Sequence, residues 1–213
     1  AAKGFEFFAI GVSNTFLDEL LGPTWAYVLP LEKITLLDTG MPRTLDSLEN
    51  GLHVLGLSLS DIERVIVSHG HADHDGNVPE LAQKVSPEIW AHEVYSSLMP
   101  LDGHEMEHHR FGHLYDGAKP PEEFVDRMKW YKDGRQGLSG IRGISDGDRL
   151  GPLTLMHMPG HSPDEMCIVG PSVIFSGDHV LPQITPHPTT AVVHNDFGPY
   201  LPEEYQGENR SYG

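Results

Sequence analysis

Cysteine is nearly absent from this sequence, since Cys167 is the only one among 213 residues. A single cysteine excludes an intrachain disulfide and favours a reducing compartment. Cys167 lies in the apolar, strand-like run Met166–Val169. We therefore interpret it as a buried, inert thiol rather than as a metal ligand.

Long hydrophobic runs are also missing. No stretch approaches the roughly 18 to 20 consecutive apolar residues of a membrane-spanning helix. The first residues, Ala1 to Phe5, lack the apolar segment of a signal peptide. The sequence thus predicts a cytoplasmic protein without a membrane partner, and a secreted mature form whose signal has been removed stays open.

Positive charge is scarce: 14 Lys and Arg stand against 31 Asp and Glu, which gives a formal net charge of −17. A protein that follows the phosphates of a nucleic acid would present a basic face, so we expect no nucleic-acid partner. Bound divalent cations would offset part of the negative charge. We expect a small-molecule substrate, with a homo-oligomer as one option for the assembly.

Hydrophobic periodicity predicts a layered α/β domain over residues 1–213. Leucines spaced by three and four residues predict a helix over 44–56, and a second helix is predicted over 77–85. Ser60 and Glu63 have the spacing of a capping box, which predicts a helical turn. Strands alternate with these helices, as in α/β folds. Short apolar runs predict strands at 5–12, 25–29, 34–37, 65–67, 88–91, 153–158, 166–169 and 173–176. The short turn at 30–33 predicts that the strands at 25–29 and 34–37 form a hairpin.

A helical insertion is predicted at about 93–136, where the strand–helix rhythm stops. Its central part is polar and rich in histidine, and we interpret it as solvated rather than as a metal site. The histidines concerned are His104, His108, His109 and His113.

The most informative stretch is 65–77, where the apolar run Val65 to Val67 leads into a turn with three histidines. Imidazole and carboxylate are the ligands that zinc and similar metals prefer. His69 and His71 alternate and would point the same way on an extended chain. Asp73 and His74 follow after the chain has turned. This spacing favours two metal ions side by side over one.

The pattern His-x-His-x-Asp-His after a hydrophobic strand resembles the signature of metallo-β-lactamase-fold hydrolases. Three further turns match this family in order: the Asp-Thr-Gly turn at 38–40, the Pro-Gly-His-Ser turn at 159–162 and the Gly-Asp turn at 177–178. The resemblance covers about residues 5 to 185. It implies an αββα sandwich, and the branch that the sequence resembles contains glyoxalase II and lactonases.

The resemblance also implies a ligand set for two divalent ions, zinc foremost, with iron or manganese as alternatives. Asp38 would orient the histidine loop from outside this set, and Asp73 also counts as a catalytic residue. The first ion would be bound by His69, His71 and His161, the second by Asp73 and His74, and Asp178 would bridge both.

The implied chemistry is hydrolysis of a thioester, lactone or related ester by a water that two metal ions share and activate. Two alternatives on the same fold are an iron-dependent oxidoreductase of the persulfide dioxygenase kind and a β-lactamase. A non-catalytic binding protein is a third, but the complete first motif counts against it. Met128, Trp130 and Tyr131 in the insertion could line a substrate pocket, although ordinary core packing explains their spacing equally well.

Some positions depart from the family pattern. Asp164 and Glu165 follow the histidine turn, and we expect both to face solvent. Asp75 is interpreted as a turn or helix-start residue. The family's last histidine ligand has no evident counterpart, so we expect the C-terminal part of the fold to be incomplete, with His187 or His194 as less favoured replacements.

Overall fold

The computed structural model describes residues 4–13, 22–100 and 122–180. Within these residues, six strands form the first sheet in chain order and four form the second, in the order β10-β9-β8-β7. The strands are β1 Phe8–Val12, β2 Thr24–Pro30, β3 Ile34–Leu37, β4 Arg64–Ile66, β5 Glu88–His92, β6 Arg142–Ile144, β7 Asp148–Leu150, β8 Leu153–His157, β9 Met166–Val169 and β10 Ile174–Phe175. The helices are α1 Leu45–Val54, α2 Ala72–Asp75, α3 Val78–Val85, α4 Tyr95–Leu98 and α5 Glu122–Gln136.

The first sheet begins as an antiparallel meander and continues as a parallel sheet. The pairs β1–β2 and β2–β3 are antiparallel, as predicted for the hairpin, whereas β3–β4, β4–β5 and β5–β6 are parallel. Parallel strands are joined by crossovers, so their carboxyl ends lie at the same edge of the sheet. Ligands bind at this edge in open α/β sheets, and the loops after β3 and β4 carry Asp38 and the histidine motif.

The second sheet is antiparallel and packs on the first. The core between the sheets takes side chains from both, among them Leu37 and Ile66 from the first and Leu155 and Ile168 from the second. Each fully buried Leu or Ile contributes roughly 1.5–3 kcal/mol. Cys167, on β9, is buried as predicted.

Helix α1 covers the other face of the first sheet. Its spacing of apolar residues places Leu45, Leu48 and Leu52 on one buried stripe, which packs in a cluster with Ile10 and Val28 of the sheet. After β10 the described residues contain only the 3-10 turn Gly177–His179. The helical layer on the outer face of the second sheet, which the resemblance predicts, is therefore not among the described residues.

The predicted capping box is shifted by two residues. Ser58 and Asp61 form it, since the Ser58 backbone N–H and hydroxyl both donate to Asp61 Oδ2, at 2.8 and 2.7 Å. Glu63 already belongs to the extended approach to β4, where its N–H donates to the carbonyl oxygen of Ile34. The prediction that Ser60 and Glu63 form the box was wrong, because the 3-10 turn covers Leu59–Asp61 and its N-cap is therefore Ser58.

Of the predicted insertion, α4 and α5 are described, while the four histidines between them lie outside the described residues. Within the described part of the chain, none of the helices has the length and apolar character needed to cross a bilayer.

Candidate metal centre

Asp38 lies directly after β3 and holds the histidine loop in place. Its backbone adopts a positive φ of 60°, which turns the carboxylate towards the loop after β4. Oδ1 accepts the Ser68 backbone N–H and Oδ2 accepts the Ser68 hydroxyl, both at 2.7 Å. Nδ1 of His74 lies 2.9 Å from Oδ2. Asp38 therefore contacts both ends of the turn that presents the histidines, and its role in orienting metal ligands stays a prediction.

Three imidazoles converge at one point. Nε2 of His69 lies 3.0 Å from Nδ1 of His71, and Nε2 of His161 lies 2.9 Å from the same Nδ1. His71 has extended backbone angles and precedes α2, so its side chain and that of His69 point to the same side. His161 arrives from the loop between β8 and β9 of the second sheet.

A second donor group lies beside the first. Nε2 of His74 is 3.1 Å from Oδ1 of Asp178, and Oδ2 of Asp178 is 3.5 Å from Nε2 of His161. Asp178 thus faces both groups with different oxygens. Oδ2 of Asp73 is 3.7 Å from Nε2 of His74, and its side chain is 43% exposed. The structure brings together all six residues that the sequence analysis named as ligands.

Burial and charge divide the histidines into two kinds. Burial, together with the neighbouring imidazoles, holds the pKa of His69 and of His71 well below the usual value. Burial also lowers the pKa of His74, but the carboxylates of Asp73 and Asp38 outweigh it and raise that pKa well above the usual value. Asp178 is the reverse case, because the hydrogen bond from His74 outweighs burial and lowers its pKa. His69 and His71 are therefore neutral, the form that binds metals.

The donor atoms fit metal ions. His69, His71 and His161 form one group whose donor atoms all lie within 4.8 Å of one another, and His69, His74 and Asp178 form another. Zinc with Zn–N distances of about 2.0–2.1 Å and tetrahedral angles needs nitrogens about 3.3 Å apart. The nitrogen pairs His69–His71 and His161–His71, at 3.0 and 2.9 Å, would have to separate by only a few tenths of an ångström. Neutral nitrogens this close also need a proton or a cation between them.

Asp164 and Glu165 are buried, and the prediction that they face solvent was wrong. Their exposed fractions are 1% and 0%. Oδ2 of Asp164 accepts the backbone N–H of Gly70 at 2.9 Å, and Oδ1 accepts the Ser162 hydroxyl. Gly70 lies between two of the histidines, so the Asp164 carboxylate ties the second-sheet loop to the histidine loop. Local sequence could not show this, because the partners are about 95 residues apart in the chain.

Asp75 is more than a helix-start residue. It belongs to α2, but its side chain is fully buried. Oδ2 accepts the hydroxyl of Tyr95 at 2.7 Å, Oδ1 accepts the hydroxyl of Tyr131, and Nε of Arg135 lies 3.2 Å from Oδ2. The Arg135 guanidinium also stacks over Tyr95, 4.8 Å from the ring centroid. This buried cluster joins α5, in the insertion, to the helix that follows the metal motif.

The three residues predicted to line a pocket lie in different surroundings. Met128 and Trp130 are partly buried, and the Trp130 ring lies 5.3 Å from the guanidinium carbon of Arg43. Tyr131 is buried and faces Asp75. Their role in substrate binding stays a prediction.

Other histidines lie away from the two donor groups. His157 stacks on His92 with ring centroids 3.7 Å apart, and its Nε2 lies 2.8 Å from the carbonyl oxygen of Pro163. His187 and His194, considered as replacement ligands, lie outside the described residues.

Comparison with proteins of known sequence finds several similar proteins. A probable metallo-hydrolase, YqjP, from Bacillus subtilis is 26% identical over 161 residues, which are 67% of this chain and 47% of that protein. An atrochrysone carboxyl ACP thioesterase from Claviceps purpurea is 29% identical over 160 residues, which are 72% of this chain and 36% of the relative. The chain thus spans less than half the length of these relatives.

Solved structures show the same fold. The metallo-β-lactamase family protein TTHA1429 from Thermus thermophilus superposes with a TM-score of 0.65 at 20% identity, covering 84% of this chain and 61% of that one. AidC, a dizinc quorum-quenching lactonase, superposes with a TM-score of 0.55 at 19% identity, covering 70% and 53%.

A sequence model of one protein family matches nearly the whole chain. The match runs over residues 20–210 and is to the metallo-β-lactamase superfamily. It includes the loops that carry all six converging donor residues. This chain belongs to the metallo-β-lactamase superfamily.

Proposed function

We propose that this protein is a hydrolase that uses two divalent metal ions, zinc foremost, to cleave a thioester, lactone or related ester. The observation that carries the proposal is the position of Asp178, whose two oxygens face two adjacent donor groups. A carboxylate in this position offsets the repulsion between two cations. Three imidazoles on one side leave a coordination position open for water, as in catalytic zinc sites.

Two roles are assigned to the residues of this site: metal binding and proton transfer. His69, His71 and His161 would hold one ion, and Asp73 and His74 the other. When bound, the ions lower the pKa of a shared water and supply the nucleophile. Asp73 is 43% exposed and Asp178 17%, so Asp73 is the carboxylate at the open side of the site. We assign to Asp73 the holding of a proton at this open side, which it would give to the leaving group.

The one cysteine does not serve as a nucleophile. Cys167 is buried, its Sγ faces the carbonyl oxygen of Ser176 at 3.7 Å, and burial raises the pKa of its thiol to about 11. A thiol reacts as the thiolate, so this one is inert near neutral pH.

The names of the relatives support ester-like substrates. One relative in sequence is a thioesterase, and one structural neighbour is a lactonase. The fold alone does not choose a substrate, so the substrate class rests on these names together with the donor set. The cytoplasmic location, the small-molecule substrate and the lack of a nucleic-acid partner stay predictions from composition.

A substrate screen with metal analysis tests the proposal. The purified protein is stripped with a chelator, reloaded with zinc, manganese or iron(II), and assayed on an acyl thioester, an acyl-homoserine lactone, a phosphodiester and a β-lactam. We expect thioester or lactone cleavage that requires two ions per chain and that is lost in His161→Ala. His53→Ala, at an exposed position of α1, is the matched control.

Other outcomes would overturn the proposal. Full activity in the stripped protein would exclude the metal ions from the reaction. Oxygen uptake with iron and a persulfide, without ester cleavage, would place the chemistry in the oxidoreductase class.

A further inference from the structure

Glu165 is a buried residue next to the two groups of donor atoms, where it contacts His69 and Asp178. It comes four residues after His161, and its backbone closes the turn that carries this ligand. The carbonyl oxygen of Glu165 accepts the Met158 N–H at 2.9 Å, and its own N–H donates to the carbonyl oxygen of Ser162 at 3.2 Å. These two hydrogen bonds hold the backbone of Glu165 in place. Its side chain points into the protein and has no exposed surface.

The Glu165 carboxylate contacts two of the loops that supply ligands. Oε1 accepts the backbone N–H of Asp178 at 3.2 Å. Oε2 lies 3.3 Å from Nδ1 of His69. The carboxylate also lies close to Gly177, because a Cβ added at this glycine would overlap Oε1. One side chain thus joins the histidine loop of the first sheet to the Gly-Asp turn of the second.

A buried carboxylate needs compensation. Burial of an ionised group without a partner costs several kcal/mol, and Oε2 accepts no hydrogen bond from the described residues. The polar atom beside it is Nδ1 of His69, which is also 3.1 Å from the Ser68 hydroxyl oxygen. The polar group that this arrangement offers to Oε2 is therefore Nδ1 of His69, 3.3 Å away.

The two nitrogens of His69 therefore have different tasks. Nε2 faces His71 inside the donor group, while Nδ1 faces Glu165. Histidines that bind metals commonly donate the other N–H to a carboxylate, which fixes the tautomer and the ring orientation. An acceptor oxygen 3.3 Å from Nδ1 favours the proton on that nitrogen and leaves the Nε2 lone pair free for a cation.

We propose that Glu165 is a positioning residue of the metal centre, which keeps His69 in the metal-binding tautomer and holds the turn that carries Asp178. The inference rests on metal binding at the site described above. It does not depend on which substrate the protein cleaves.

Zinc affinity and a cobalt spectrum test the inference without any substrate. Glu165→Gln keeps the size of the side chain but has a single acceptor oxygen, so it cannot serve both the Asp178 N–H and His69 Nδ1. Glu165→Ala removes both contacts. Glu32→Gln removes the same charge at an exposed position between β2 and β3 and is the matched control. Zinc affinity is measured by competition with a chromophoric chelator, and the cobalt(II)-loaded proteins are compared by their visible absorption spectra.

We expect Glu165→Gln to weaken zinc binding about 10- to 100-fold, the range seen when partners of metal ligands are removed. Glu165→Ala should lose at least as much, and both should change the cobalt spectrum, while Glu32→Gln matches the wild type. Zinc affinities within threefold of the wild type and an unchanged spectrum in Glu165→Gln would overturn the inference. So would a lower Tm of the metal-free variant without a change in affinity or spectrum, since this means a merely structural role.

The failure of the inference differs from that of the proposed function. If the wild type itself binds no zinc, iron or manganese, the proposed function fails. If the wild type binds zinc tightly and Glu165→Gln binds it equally well, only the role of Glu165 fails.

Discussion

At the scale of single residues, Asp178 differs from Asp73, the other acidic residue of the proposed ligand set, because it contacts both donor groups. Asp73 contacts His74 only from the exposed side, whereas Asp178 faces His74 with one oxygen and His161 with the other. The loss of Asp178 should therefore affect the pair of ions rather than one ligand sphere.

Asp178→Asn should bind one zinc ion per chain where the wild type binds two. The amide keeps the shape but no longer offsets the repulsion between the cations, so the ion at His74 is lost first. Metal content after dialysis, measured by mass spectrometry, checks this. Asp126→Asn, exposed on α5, should keep two, and two ions retained in Asp178→Asn would remove Asp178 from the ligand set.

Gly177→Ala should destabilise the protein more than Gly147→Ala. Both glycines have positive φ, 51° and 82°, where a side chain costs about 1–2 kcal/mol. The Cβ at 147 would meet open space, whereas the Cβ at 177 would overlap Glu165 Oε1. Urea unfolding of the two variants gives the difference, and equal losses would mean that the carboxylate moves away freely.

At the scale of secondary structure elements, periodicity predicted most of what the structure shows. The stripe of leucines on α1 and the hairpin of β2 and β3 could be read from local spacing, and the four motif turns could be read from their sequence. The burial of Asp164 and Glu165 could not be read locally. A Pro-Asp-Glu segment is typical of an exposed turn, and only its distant contacts with Gly70 and His69 bury it.

Tyr131 of helix α5 donates a hydrogen bond to the buried carboxylate of Asp75, which lies in α2 directly after the histidine motif. Tyr131→Phe should therefore lower the free energy of unfolding by about 1–3 kcal/mol. The change removes one donor from buried Asp75. Tyr27→Phe is the control, since the Tyr27 ring packs on Phe7 and Phe175 and keeps these contacts. Chemical denaturation measures both, and a Tyr131→Phe variant as stable as the wild type would show that Tyr95 and Arg135 satisfy Asp75 by themselves.

His92, the last residue of β5, should make the stability of the protein depend on pH. Burial, with the stacked His157, lowers the pKa of His92 to about 4, and its Nδ1 accepts the Val94 N–H at 3.3 Å. The folded protein thus prefers neutral His92, and stability is lost as the pH falls from about 6.5 to about 4, by up to about 3 kcal/mol.

His92→Asn tests this, because the amide oxygen can still accept the Val94 N–H but does not titrate. Thermal unfolding in the presence of a chelator, between pH 7 and pH 4.5, should show a smaller loss for the variant than for the wild type. Parallel curves would contradict the assignment to His92.

At the scale of the whole molecule, each sheet comes from its own part of the chain. All strands of the first sheet lie within residues 8–144 and all strands of the second within 148–175. The six proposed ligands are divided in the same way, with His69, His71, Asp73 and His74 from the earlier part and His161 and Asp178 from the later one. The two sheets therefore meet at the proposed metal centre as well as in the core.

Each bound ion would then act as a reversible cross-link between the part of the chain that forms the first sheet and the part that forms the second. A link between His71 and His161 closes a loop of about 90 residues, and closing a long loop restricts the unfolded chain far more than the folded one. A zinc concentration 100 times the Kd adds about 2.7 kcal/mol to stability. A chelator should thus behave as a mild denaturant: it should lower the Tm and speed the separation of the second sheet, seen as faster amide exchange in β8 and β9, while α1 and the meander β1–β3 keep their protection.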